Sequence, residues 1–175
     1  MVRMRIDRAL GVLIVMVAVT APSVWAEPLT AQDRDAITRL GSTQGRSENE
    51  IAPLLDHVSK AGERGLPTES LLNKVREGLA KGVEPKRIDP VLRQMTSRLE
   101  SAHEVLQEAG SRGMEEGNRQ RAIETMAEAL SRGATVDEVR ELSRLSQDGR
   151  HKATQEELAA GAKGLAVMKE GRIPS

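Results

Sequence analysis

Glu100 and His103 stand three residues apart in a stretch of helical periodicity, a spacing that turns a carboxylate and an imidazole to one helix face. Glu-x-x-His pairs of this kind hold di-iron centres when a second copy and further carboxylates face them across a bundle. This chain has one copy, and it flanks the apolar stripe of its segment instead of lying on it. Asp148 and His151 repeat the spacing but straddle Gly149 in a turn. Together with Asp56 and His57 these are the candidates for a surface metal site. The expectation is that they are solvated and that no metal or other cofactor is held. No serine sits in a nucleophile-elbow pattern and no glycine-rich phosphate loop follows a strand. Glu115, Glu116, Arg119 and Arg121 read as a loop and a solvated helix face. With no acid, base or nucleophile converging on another, the sequence reads as that of a non-enzyme.

Composition narrows the partners. The chain has 175 residues with 26 basic and 26 acidic side chains and no cysteine. Disulfides, zinc–thiolate sites and thiol nucleophiles are therefore excluded. Its first 26 residues have the layout of a secretory signal. Arg3, Arg5 and Arg8 precede an apolar run from Leu10 to Thr20, Pro22 and Ser23 break it, and Val24-Trp25-Ala26 places small residues at the two positions a signal peptidase reads. The run is short of the ~20 residues that cross a bilayer. Cleavage before Glu27 is expected, with an exported product, periplasmic or secreted, and membrane contact only through this segment if it is left uncleaved. Trp25 is the only aromatic residue, so the mature chain has no ring on which to stack a base or a sugar. Its charge is near minus two, which offers no basic field for nucleic acid. Leu, Ile and Val together number 29 after residue 26, a thin supply of aliphatic core.

The elements that would position these side chains are all helices, about seven short ones forming an irregular bundle or a short array of helical hairpins. Thr30 caps the first, which carries Ile37 and Leu40 and ends at Gly41. The second carries Ile51, Leu54, Leu55 and Val58; Asn49 as its cap keeps Pro53 out of the helix interior. Pro67 and Thr68 open a third with Leu71, Leu72, Val75 and Leu79 on one stripe and a Glu77–Lys81 pair outside. Gly78 inside it points to a close-packed neighbour. A turn over 82–88 then leads to Asp89 as cap and Pro90 at the first position of the longest helix, striped by Leu92, Met95, Leu99, Ala102 and Leu106. Three glycines within 110–117 mark a hinge at 111–117, dividing an N-terminal helical region (27–110) from a C-terminal one (118–175). Beyond it lie helices carrying Ala122, Ile123, Met126, Ala127 and Leu130; then Val139, Leu142 and Leu145; then Leu158, Ala162, Leu165 and Ala166.

Helix ends are the clearest signal. Gly65, Gly82 and Gly133 each follow a cation and precede an aliphatic residue, which is the pattern of a left-handed C-terminal cap. Thr135 with Glu138 and Thr154 with Glu157 are capping boxes. Gly45, Gly65, Gly82 and Gly133 each have an aliphatic residue six positions on, at Ile51, Leu71, Ile88 and Val139. No copy is evident between 99 and 116. Two 17-residue steps make the 34 of a tetratricopeptide unit, whose aromatic signature is missing here.

Leu29-Thr30-Ala31-Gln32 is similar, with one residue fewer between Thr and Gln, to the Leu-Thr-x-x-Gln signature of small exported helical chaperones and metal-stress proteins. That resemblance implies dimerisation into a concave helical surface that holds unfolded clients. The residues themselves imply an exported, non-catalytic helical protein acting through protein contact or self-association, as a structural, scaffold or adaptor component; the periplasmic chaperone or metal-responsive protein is the alternative.

Overall fold

The computed structural model describes residues 29–147 and 153–171, and the described chain is all helical, without strands. Seven helices follow in order: α1 (Ala31–Thr43), α2 (Glu48–Glu63), α3 (Glu69–Ala80), α4 (Pro85–Ser111), α5 (Arg119–Ser131), α6 (Val136–Gln147) and α7 (Gln155–Glu170). The expected signal segment, Asp148 and His151 lie outside the described residues.

One turn closes each of the first five helices. Gly45, Gly65, Gly82, Gly113 and Gly133 all have φ between +69° and +98°, a region closed to side chains with a Cβ except at a cost of about 1–2 kcal/mol. The residue after each glycine sends its N–H back five positions: Arg46 to Gly41 O at 3.0 Å, Leu66 to Ala61 O at 3.1 Å, Val83 to Gly78 O at 2.9 Å, Met114 to Ala109 O at 3.2 Å and Ala134 to Ala129 O at 3.1 Å. These are the six-to-one bonds of a Schellman cap. Each accepting residue is Gly or Ala, and over Gly41 and Gly78 the next helix crosses directly. A Cβ on Gly41 would lie 2.0 Å from Ile51 Cδ1, and one on Gly78 would lie 2.6 Å from Ile88 Cδ1. Gly113 repeats this turn between 99 and 116, although the residue six positions on is Arg119 and not an aliphatic one.

Three helix boundaries differ from the sequence expectation. α1 runs through Gly41 to Thr43, since Gly41 serves as the contact point for Ile51. Ser47, not Asn49, caps α2: Glu50 Oε2 accepts from the Ser47 N–H at 2.9 Å and its hydroxyl at 2.8 Å, which puts Pro53 inside the helix. Likewise α4 begins at Pro85 after the cap residue Glu84, so 82–88 is not all turn, Asp89 is not a cap and Pro90 is internal. Asp89 instead accepts from Arg93 Nε at 2.8 Å. A mid-helix proline costs about 3 kcal/mol. Starting early buries Ile51 and Ile88 to 0% and 3% exposure, and burying such a side chain returns about 1.5–3 kcal/mol. The capping contacts of Ser47 and the favoured first-position Pro85 add to that return.

α4 is the spine. α2 and α3 lie against it, and α1 in turn lies against them; α5, α6 and α7 also contact α4, and α7 lies along α5. The stripe of α4 is buried by this arrangement at Leu92, Leu99, Ala102 and Leu106, while Met95 is only half buried. The two sides are built differently. Around α2 and α3 the buried groups are Leu, Ile and Val, whereas nine of the ten buried alanines among the described residues fall between Ala102 and Ala166. Small side chains allow α5 and α7 to approach closely, with Ala122, Ala129, Ala159, Ala162 and Ala166 all at 0% exposure.

Candidate interaction surfaces

The candidate metal residues among the described residues do not converge. Glu100 is ion-paired to Arg64 of the α2–α3 turn. His103, one turn on, has Nε2 3.4 Å from Arg119 at the start of α5, while its Nδ1 is buried without a partner. Burial, and then the Arg119 charge, hold the His103 imidazole below its usual pKa, with Glu104 opposing. A side chain facing a guanidinium is a poor cation ligand. Asp56 lies 3.9 Å from Arg34, and His57 meets the buried Thr96 hydroxyl at 2.8 Å. His57 is also held low, chiefly by burial. Among the described residues no group of three or more His, Cys, Asp or Glu side chains is placed to hold a metal.

The capping residues sit at helix ends. Gly65, Gly82 and Gly133 occupy the turns described above. Thr135 N–H donates to Glu138 Oε2 at 2.8 Å and Glu138 N–H to Thr135 Oγ1 at 3.2 Å. Thr154 and Glu157 make the same reciprocal pair at 2.8 and 3.2 Å. Glu138 also takes Lys169 of α7 at 2.9 Å, tying the start of α6 to the end of α7. Glu77 accepts from Lys81 at 2.6 Å and Lys74 at 2.5 Å, and these hydrogen bonds lower its pKa to about 2.

Two surfaces stand out. On α7, helical spacing puts Gly161, Gly164, Leu165 and Met168 on one face. Leu142 of α6 lies against Gly161, 3.0 Å from where its Cβ would be. Leu145, one turn further along α6, was expected in the core and is 62% exposed; Met168 is 57% exposed. Leu165, expected to face inward, is half buried, and its place in the packed face is taken by Ala159. The second surface is a groove of about 200 Å³ over the middle of α4, walled by α3 and α5. Its floor and one wall are Met95, Leu99 and Ala127, with Ser70, Arg98 and Glu124 around them. Neither Arg98 nor Glu124 stood out in the sequence, since each looks like one more solvated helix charge until α3 and α5 are brought to either side of α4. No helix among the described residues is long and apolar enough to cross a membrane. Comparison finds no family model, no curated protein and no solved structure that matches the chain.

Proposed function

We propose that the chain is an exported, non-catalytic helical protein that works by protein–protein contact, as a structural, scaffold or adaptor component of the periplasm or cell exterior. The observation that carries this reading is the aliphatic and small-residue face of α6 and α7. Leu165 and Met168 share a face of α7 with Gly161 and Gly164, Leu145 is exposed near the end of α6, and Gly164 has open space within 4 Å of its Cβ position. Contiguous apolar surface of this kind marks contact sites on soluble proteins, and glycines on it let a second helix approach closely. The signal-like first 26 residues support export. The metal-responsive alternative has less behind it, because His57 and His103 already face Thr96 and Arg119.

Sedimentation of the purified protein tests the reading. Self-association in the micromolar range is expected, and Leu145→Glu with Met168→Glu abolishes it while leaving the helical circular dichroism unchanged. A protein that sediments as a monomer at all concentrations and recovers no envelope partner sinks the proposal.

A further inference from the structure

We infer that the groove between α3 and α5 is a docking slot for a segment of a partner protein that presents one aliphatic side chain between a carboxylate and a basic side chain. The inference rests on the protein-contact reading and names the chemistry of one partner. The slot holds about 200 Å³, room for one Leu- or Met-sized side chain with the backbone that carries it. Its interior is apolar: Leu99 and Ala127 are 4% and 9% exposed, and Met95 is the one residue of the α4 stripe left half open.

Three of the five polar residues that line it, Ser70, Arg98 and Glu124, are unspent. Arg93 on the same helix and Arg112 at its C-terminal cap are ion-paired to Asp89 and Glu108, whereas Arg98, like Lys86 and Arg87, has no ion pair among the described residues. Glu116 and Glu128 are paired to Arg119 and Lys163; Glu124 has neither hydrogen bond nor ion pair there. Burial and the neighbouring Glu69 both push its carboxyl above the usual range, so a cation arriving at Glu124 relieves an existing cost. The Ser70 hydroxyl, beside the slot, is buried with no hydrogen-bond partner. Apolar pockets with a few convergent polar groups are where ligands bind. The slot is lined by one guanidinium and two carboxylates; with Glu128 already paired to Lys163 and Arg132, Arg98 and Glu124 are the charges left to specify a partner of opposite charge order.

The probe is a fluorescein-labelled alanine–serine undecapeptide carrying aspartate, leucine and lysine at three-residue intervals, titrated with the full chain and read by anisotropy. Saturable binding on the order of 100 µM is expected. Ala127→Trp, which fills the slot, weakens it at least about tenfold. Glu124→Lys reverses the preference toward a peptide with glutamate in place of the lysine. An anisotropy that stays flat into the millimolar range overturns the inference. So does equal binding by the Ala127→Trp protein, or a Glu124→Lys protein with no altered preference. Sedimentation of the same samples separates the two ideas: self-association through α6 and α7 without peptide binding removes the slot alone.

Discussion

His57 and His103 show how one residue type can record the fold's electrostatics. His57 lies half buried against α4 and His103 is half buried on α4 itself, and in both burial is the largest cause of a pKa below the ordinary 6.5. Around His57, Asp89 and Glu100 oppose the shift while Arg93 and Arg64 add to it. The folded state thus favours the neutral imidazoles, and the unfolded chain protonates first. Their contribution to stability is complete above about pH 6.5 and is lost as pH falls through the folded values. The urea midpoint is expected to hold steady from about pH 8 to 7 and to drop toward pH 5, and His57→Gln flattens that drop. An unchanged midpoint at pH 5 contradicts the assignment. Gln155 carries a second test. Its side chain is fully buried, neither amide atom has a hydrogen-bond partner, and it presses on Gly110 of α4. Buried unpaired amides cost about 1–3 kcal/mol. Gln155→Met keeps the shape and removes the polar atoms, so the melting temperature rises by several degrees.

At the scale of the helix, the glycines divide by what stands over them. In an exposed helix interior Gly→Ala gains up to about 1 kcal/mol. Gly164→Ala is expected to realise that gain, since nothing lies within 4 Å of its Cβ position. Gly78→Ala loses more than it gains, because Ile88 Cδ1 and Cγ1 stand at 2.6 and 2.8 Å and Ile88 is buried; overpacking of this kind costs about 1–3 kcal/mol. Pairing it with Ile88→Ala removes the clash, so the double variant is less destabilised than the sum of the two single changes. Additive chemical-denaturation midpoints show that the contact does not exist. These helices were largely legible in the sequence, from the periodic Leu, Ile and Val positions and from Gly65, Gly82 and Gly133. What misled was local. Pro53 and Pro90 argued for later starts, but each lies only two residues past an isoleucine whose burial decides the boundary. Gly41 looked like a stop and is a contact. The groove was invisible because Ser70, Arg98 and Glu124 come from three helices, and no local pattern brings them together.

At the scale of the whole chain, the division between the aliphatic and the alanine-rich sides of α4 sets a gradient of stability. Each buried Ala removes far less apolar surface from water than a Leu or Ile, and the buried unpartnered atoms of Ser143, Gln147 and Gln155 all lie on the alanine side. Native-state hydrogen exchange is expected to show slower exchange in α2, α3 and the first half of α4 than in α5, α6 and α7. Equal protection throughout would contradict the gradient. The recurring turn also bears on how the chain reaches this state. Gly41 meets Ile51 and Gly78 meets Ile88, ten residues apart in each case, so the α1–α2 and α3–α4 hairpins close on themselves before distant segments are needed. A chain assembled from such short loops has a small entropic barrier to cross and folds on the fast side of the range for its size. Fast closure shortens the time during which Leu145, Met168 and their neighbours share the solvent with unpaired backbone. For the contact surface proposed on α6 and α7, that interval is when aggregation would compete with assembly.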